Sequence, residues 1–341
     1  MELHTGETFQ QADPESTSPE ANWTECKKTA RSTIMSARWL HPPRRAKKLK
    51  RPDERPKHNS MPMLKDALRG VLDESELIEL SSSFDVIGDI AIIKIPKSLE
   101  SRSTLIGEQI ISRMKNVSTV LSQTSDVTGE FRTRDVSFVA GVEKYETVYK
   151  ESGCRFKVNV KSVYFSPRLS TERLRVASQV KEEEGEKILN MFAGLGTFSF
   201  IIAKQRRCVI DSVDKNPDAI RLAFESLKLN RKLKGVVRPA LSDASSFAME
   251  HPLEYDRVLM PLPERSSEFL LAAFNCSKES ATINYYVHVP LAEFKDRSWI
   301  DDHLKEVLRS QDRKYHVSTW KRVREVGPRY IQAVADIELD H

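Results

Sequence analysis

A glycine-bearing turn near the middle of the chain is the first place where residue types and spacing suggest chemistry. Gly194 and Gly196 separate a short apolar segment, residues 188–192, from a second one, residues 198–203. Where a strand turns into a helix at the edge of an α/β sheet, small residues let the backbone approach a ligand. Two glycines alone also fit an ordinary tight turn, so this signal needs support from elsewhere in the chain.

An acidic residue at a suitable distance gives that support. Asp214 ends the next apolar segment, residues 208–214, and follows Gly194 by 20 residues. This is the spacing of the carboxylate that holds ribose hydroxyls in nucleotide-binding folds. The third glycine of a dinucleotide fingerprint is missing, so no pyrophosphate site is evident. The pattern therefore predicts a nucleoside cofactor, and S-adenosylmethionine fits it better than NAD.

Strand and helix patterns alternate around these residues, over residues 161–341. The alternation predicts a Rossmann-like α/β domain with a mostly parallel, doubly wound sheet. Asp243 follows the third strand, where such folds place an acid beside the adenine amino group, and it could equally cap the next helix. The fourth strand, residues 256–263, ends where open α/β sheets meet their substrate.

A smaller domain is predicted ahead of this one, over residues 61–160. Leu64, Leu68 and Leu72 recur at helical spacing at its start. Further segments follow, with strand patterns at residues 78–80, 84–89, 90–96, 117–121, 145–149 and 156–160 and a helix pattern at residues 103–115. This mixture predicts a compact α+β unit.

Residues 1–60 contain few aliphatic side chains and many proline, serine, threonine and charged residues. Such a composition cannot bury enough surface to offset the entropy of ordering, so we expect a largely disordered tail. Its basic run consists of Arg44, Arg45, Lys47, Lys48, Lys50 and Arg51. The run either binds RNA without sequence preference, acts as a nuclear signal or is a solvated tail.

The overall composition narrows the class of protein. The 341 residues are 39% hydrophobic and 30% charged with a net charge of +5, which is ordinary for a soluble protein and weakly favours a polyanionic partner. The four cysteines form no CxxC pair, so neither a zinc site nor a disulfide framework is suggested. The apolar runs fall short of the roughly 20 residues that a membrane span needs. We expect a cytoplasmic protein with no metal and no membrane contact.

From about Met61 to the C terminus, the sequence resembles the archaeal-type tRNA methyltransferases that modify N1 of guanine 37, next to the anticodon. The resemblance rests on motifs that are specific only together. They are Phe84-Asp85-Val86-Ile87-Gly88-Asp89, Gly129-Glu130-Phe131-Arg132-Thr133-Arg134, Val163-Tyr164-Phe165-Ser166-Pro167-Arg168-Leu169, Glu172-Arg173, Asn190-Met191-Phe192-Ala193-Gly194, Asp214-Lys215-Asn216-Pro217, Met260-Pro261-Leu262-Pro263-Glu264-Arg265 and Pro328-Arg329-Tyr330.

The resemblance implies a small RNA-binding domain that feeds tRNA to a class I, S-adenosylmethionine-dependent domain in a monomer. By motif position, Glu172 is expected to remove the N1 proton of guanine and Arg132 to steady charge that builds on O6. The chemistry supports this pairing, because protonated N1 is a poor nucleophile until a base acts on it. Glu172 could instead form a helix surface pair with Arg175, and Arg132 could contact a phosphate.

The motif positions and the strand-helix pattern together give the other expected site residues. At the cofactor we expect Phe192, Gly194, Gly196, Asp214, Lys215, Asp243 and Ala244, and at the substrate Tyr164, Arg168, Pro261 and Pro263. Tyr164 is also compatible with a core aromatic.

Two positions depart from the family. Pro261 replaces the usual asparagine at the end of the fourth strand and has neither a side-chain hydrogen-bonding group nor an amide hydrogen. Asn190 stands where aspartate is common, which removes a negative charge near the cofactor. The segment before Met61 also does not look like the N-terminal domain that longer members use to read the outer corner of tRNA.

These departures keep two alternatives open. Aminocarboxypropyl transferases of the wybutosine pathway resemble this family in fold and cofactor and also lack the asparagine, whereas Leu262-Pro263-Glu264-Arg265 followed by Phe269-Leu270 continues in the methyltransferase manner. A non-catalytic RNA-binding relative is the other alternative, which Pro261 and Asn190 together favour.

Overall fold

The computed structural model describes residues 64–80, 84–125, 129–183 and 185–340. The predicted tail of residues 1–60 lies outside this part of the chain. Within the described residues, no helix combines the length and the apolar character needed to cross a membrane.

The N-terminal elements form an α+β unit. They are α1 (Leu64–Leu68), α2 (Glu74–Glu79), β1 (Asp85–Ile87), β2 (Ile90–Ile93), a 3-10 helix (Lys97–Arg102), α3 (Ser103–Arg113), β3 (Thr119–Gln123) and β4 (Val136–Gly141). The four strands form one sheet in the order β1-β2-β3-β4. Strands β2 and β3 run parallel, as the α3 crossover requires, and the outer pairs are antiparallel. A hairpin of β5 (Glu146–Glu151) and β6 (Cys154–Asn159) follows.

Two elements of this unit differ from the prediction. Residues 78–80 were expected to be a strand, but Ile78 and Glu79 belong to α2. The Asp73 side chain accepts a hydrogen bond from the Glu76 amide at 2.8 Å, and the Glu76 side chain accepts one from the Asp73 amide at 2.9 Å. This capping box fixes the start of a helix, and it outweighs the local β-like run of residues. Strand β4 was not predicted.

The C-terminal elements form a Rossmann-like domain. They are a 3-10 helix (Pro167–Leu169), α4 (Ser170–Gln179), β7 (Lys187–Asn190), α5 (Thr197–Gln205), β8 (Val209–Asp214), α6 (Pro217–Leu229), β9 (Val236–Leu241), α7 (Ala244–Glu250), β10 (Tyr255–Met260), α8 (Ser266–Cys276), β11 (Ser277–Pro290), α9 (Ser298–Val307), β12 (Tyr315–Glu325) and β13 (Tyr330–Leu339). Seven strands form one sheet in the order β12-β13-β11-β10-β7-β8-β9. Strand β13 alone runs antiparallel to the other six strands of this sheet, so the predicted mostly parallel sheet is confirmed.

The β5–β6 hairpin packs against helices of the C-terminal domain. Its side chains Cys154, Phe156 and Val158 are buried in the same apolar cluster as residues of α5 and α6. The Lys157 amide also donates to the Ser226 hydroxyl of α6 at 2.9 Å. The sequence assigned this hairpin to the smaller domain, which it ended at residue 160. We propose instead to place the domain boundary between β4 and β5.

Candidate active site

A cavity lies at the carboxyl ends of β7, β8 and β10, where both parts of the chain meet. The loop of residues 129–134 contributes one wall, and the segments that follow these three strands contribute the others. The predicted site residues that line this cavity are Arg132, Tyr164, Phe192, Gly194, Asp214, Lys215, Asp243, Ala244 and Pro261. Gly196, Arg168, Glu172 and Pro263 do not belong to the lining.

The two glycines of the turn are required for different reasons. Both have left-handed backbones, with φ of +56° at Gly194 and +79° at Gly196, a region that side chains disfavour. A Cβ at Gly196 would lie 3.0 Å from Phe200, so this residue allows α5 to pack closely. A Cβ at Gly194 would meet only the Tyr164 carbonyl, at 3.9 Å. The cavity side of Gly194 is therefore open to a ligand.

Asp214 fixes the turn against the end of β8. Its Oδ2 accepts from the Gly194 amide at 2.6 Å, and its Oδ1 accepts from the Asn216 amide at 2.9 Å. Burial raises the pKa of Asp214, and the hydrogen bonds from these amides oppose that effect. The carboxylate also lines the cavity. An acceptor at this position suits the ribose hydroxyls of a nucleoside, so the residues present fit the predicted cofactor.

Residues of α7 and α8 also line the cavity. Asp243 caps α7, because its Oδ1 accepts from the amides of Ser245 and Ser246 at 3.0 and 3.1 Å. It also lines the cavity, so the cap and a contact to adenine are compatible interpretations. Phe192 packs edge-on against Phe269 with ring centroids 4.9 Å apart, which gives this part of the cavity an apolar wall.

Arg132 reaches from the smaller domain to the segment that follows β10. Its guanidinium lies 4.7 Å from the centroid of the Tyr164 ring and forms an ion pair with Glu264. The Tyr164 hydroxyl accepts from Arg324 at 3.0 Å. Arg132 has a φ of +54°, which is uncommon for a residue with a side chain. The sequence predicted Arg132 and Tyr164 here but missed Glu264 and Arg324 as their partners.

Glu172 lies behind the cavity rather than in its lining. It is buried in α4, where its Oε1 accepts from the Tyr286 hydroxyl at 2.7 Å and from Arg175 Nη2 at 2.7 Å. The ion pair with Arg175 exists, but it is largely buried instead of lying on the helix surface. Burial and the Glu172 carboxylate both raise the pKa of Tyr286, which keeps this hydroxyl protonated as a donor.

Arg173 is a cavity residue that the sequence did not single out. It is 2% exposed, pairs with Glu151 at 2.6 Å and donates to the Ser166 carbonyl at 2.7 Å. Its Nε has no hydrogen-bond partner among the described residues. The only signal in the sequence was the Glu172-Arg173 motif, whose second member points into a different environment from the first.

Three other motif residues offer the cavity no side-chain hydrogen bond. Arg168 is exposed and pairs with Asp85 at 3.0 Å. Asn190 is fully buried, and its Nδ2 donates to the Ser199 hydroxyl of α5 at 3.1 Å. The replacement of aspartate by asparagine at position 190 therefore changes the core and not the cavity lining. Pro261 lines the cavity and offers it no side-chain hydrogen bond.

The strand order, the glycine turn and the acid at the end of β8 together define a class I methyltransferase fold. A sequence profile described as the TRM5/TYW2 methyltransferase domain matches residues 147–316, and one described as the TYW2 N-terminal domain matches residues 64–144. The chain belongs to the TRM5/TYW2 methyltransferase family.

Curated relatives carry different activities. The tRNA (guanine(37)-N(1))-methyltransferase Trm5b of Pyrococcus abyssi is 38% identical over 260 residues, which cover 76% of each chain. The tRNA(Phe) (4-demethylwyosine(37)-C(7)) aminocarboxypropyltransferase of Methanocaldococcus jannaschii is 34% identical over 204 residues, 60% of this chain and 77% of that protein. The solved complex of aTrm5 and tRNALeu superposes with a TM-score of 0.69 at 29% identity, covering 82% of this chain and 79% of the other.

Proposed function

We propose that the protein is a tRNA methyltransferase that transfers the methyl group of S-adenosylmethionine to N1 of guanine 37. The observation that carries the proposal is a single cavity that joins the Gly194 turn of the catalytic domain to Arg132 of the smaller domain. The similarity to Trm5b supports the substrate. Because one chain supplies the whole cavity lining, we propose that the protein acts as a monomer. We also propose that it acts in the cytoplasm.

We call the part of the cavity formed by the Gly194 turn, Asp214 and Phe192 the cofactor side. Its residues would bind and orient the cofactor. Asp214 would accept from the ribose hydroxyls, the open face of Gly194 would admit the cofactor beside the backbone, and Phe192 would pack on the adenine. S-adenosylmethionine supplies an electrophilic methyl group when it is bound. Positioning of the two reactants is itself a large part of such catalysis.

We call the part of the site around Arg132 and Glu172 the guanine side. Its residues would move a proton and balance charge. Guanine would have to reach past the cavity lining to Glu172, which would then take the N1 proton, and Arg132 would stabilise the negative charge that builds on O6. Tyr164 supports the Arg132 guanidinium through its ring face. Pro261 offers no hydrogen bond at the place where relatives resembling this chain have asparagine, so discrimination of guanine falls to Arg132 and backbone groups.

Pro261 is also the observation that favours a second candidate, transfer of the aminocarboxypropyl group of the same cofactor. Mass spectrometry of nucleosides separates the two, after an unmodified tRNA transcript and, in a second reaction, tRNA that carries 4-demethylwyosine at position 37 have been incubated with the protein and S-adenosylmethionine. We expect N1-methylguanosine, and none from a transcript with adenine at position 37. An aminocarboxypropyl product would support the second candidate. Cofactor binding without any product would indicate the non-catalytic relative.

A further inference from the structure

A network of largely buried polar side chains lies behind the cavity, around Glu172. Arg175 donates to both oxygens of Glu172, with Nε 3.0 and 2.9 Å from Oε1 and Oε2. The other edge of the same guanidinium pairs with Asp336, with Nη1 2.6 Å from Oδ2. The Tyr286 hydroxyl also donates to Glu172 Oε1, at 2.7 Å. The charged and titratable groups that face Glu172 thus come from α4, β11 and β13.

The network holds two carboxylates and one cation. Asp336 has further donors, since Gln179 and Asn284 donate to it at 2.8 and 2.6 Å. Burial opposes its charge, but the hydrogen bonds from Arg175, Gln179 and Asn284 outweigh burial and hold the pKa of Asp336 below its usual value. Asp336 therefore stays charged and competes with Glu172 for Arg175.

The two oxygens of Glu172 are not equivalent. Among the described residues, Oε1 accepts hydrogen bonds from Tyr286 and from two nitrogens of Arg175, whereas Oε2 accepts only from Arg175 Nε. Oε2 is thus the oxygen with lone pairs left to accept a proton. A buried carboxylate that has an arginine to itself is a weak base, because the cation stabilises the charged form. A buried carboxylate with no cation beside it stays protonated at neutral pH.

We infer that Arg175, Asp336 and Tyr286 are positioning residues that set how strong a base Glu172 is. Arg175 is divided between two carboxylates, so only part of its charge acts on Glu172. Tyr286 fixes Oε1, so that the proton moves from guanine N1 to Oε2 and leaves the electron pair on N1. The inference rests on the proposed function, in which Glu172 is the base.

The test is the pH dependence of the single-turnover methylation rate in the full-length protein, with saturating tRNA and cofactor. Arg175→Met removes the cation, so the pH of the half-maximal rate should rise by about one unit or more. In Asp336→Asn, Arg175 interacts with Glu172 alone. The pH of the half-maximal rate should therefore fall, and the maximal rate should fall as well. Tyr286→Phe removes one donor and should shift the profile upward by less than Arg175→Met.

The opposite directions distinguish this role from a structural one. Arg175→Met and Asp336→Asn break the same ion pair, and simple loosening of the fold would not separate their profiles. If Arg175→Met fails to fold, Arg175→Lys should shift the profile less than full removal of the charge, and Tyr286→Phe and Asp336→Asn still test the direction. Thermal unfolding and cofactor affinity are measured for each variant.

Arg221→Met is the matched control. Arg221 forms comparable pairs within α6, with Asp218 at 3.2 Å and Glu225 at 2.7 Å, but all three side chains are exposed. Its profile should coincide with that of the wild type. Unchanged profiles in all the network variants, or shifts in one common direction, would overturn the inference. The proposed function is judged separately, by whether the wild type makes N1-methylguanosine.

Discussion

The two sides of the cavity are built in different ways. On the cofactor side, the bond that fixes the site joins Gly194 to Asp214, 20 residues apart in one strand-helix-strand unit. On the guanine side, Arg132 meets Glu264 across 132 residues, and Glu172 meets Tyr286 across 114. The first side is therefore a local structure, and the second exists only when the whole chain has folded.

This difference has a consequence for substitutions. A change on the cofactor side alters one self-contained unit, so its main effect should be on cofactor affinity. A change on the guanine side alters groups that hold each other, so it should affect the chemical step and leave binding nearly intact. The substitutions below test this division.

The largest effect is expected for Glu172→Gln. General-base catalysis typically contributes 10²–10⁴-fold, so the single-turnover methylation rate should fall by about that factor. The affinities for tRNA and cofactor should change only a few-fold. Fast-quench measurement at saturating tRNA gives the rate, and calorimetry gives the affinities.

The structure explains why the Glu172→Gln variant should still fold. A glutamine oxygen in place of Oε1 keeps the hydrogen bonds from Tyr286 and Arg175 Nη2, so only the Arg175 Nε contact to Oε2 is lost. Thermal unfolding checks this expectation. A variant that retains more than about half of the wild-type rate would show that another group is the base.

A smaller effect, of another kind, is expected for Asp214→Asn. The side chain keeps its shape but loses its charge and one of the two oxygens that accept from the Gly194 and Asn216 amides. The turn should loosen, and the cofactor affinity should fall by about 10- to 100-fold, the usual value of a hydrogen bond to a charged group. Affinity for tRNA should stay near that of the wild type. Calorimetry that shows unchanged cofactor binding would remove Asp214 from the cofactor side.

The same division explains what the sequence could predict. The fold class, the glycine turn and Asp214 depend on neighbouring residues and on the strand-helix period, so the pattern was sufficient for them. The partners of Arg132 and Glu172 could not be predicted, because no local pattern states which distant side chains meet. Helix α2 is the instructive failure: Asp73 and Glu76 form a capping box that is visible in the sequence, and it outweighs the β-like pattern of residues 78–80.

The two glycines offer a paired test within the cofactor side. Gly196→Ala should lower the free energy of unfolding by about 1 kcal/mol more than Gly194→Ala, because its methyl group meets Phe200 in addition to the strained backbone. Gly194→Ala should instead have the larger effect on cofactor affinity, since only Gly194 lines the cavity. Denaturant unfolding and calorimetry measure the two quantities. Equal effects of both variants on affinity would contradict the geometry.

The smallest effect is expected for deletion of residues 1–60. The described residues already bring Arg132, Asp214 and the Glu172 network together, so neither side of the cavity requires the deleted segment. The maximal rate on saturating tRNA should stay close to that of the wild type. The basic run can still contribute phosphate contacts, in which case the truncated protein should bind tRNA with a shallower dependence on salt. Binding titrations from low to moderate salt measure that slope. A large loss of maximal rate, with cofactor affinity intact, would place the segment in the active site and make the guanine side less complete than the structure indicates.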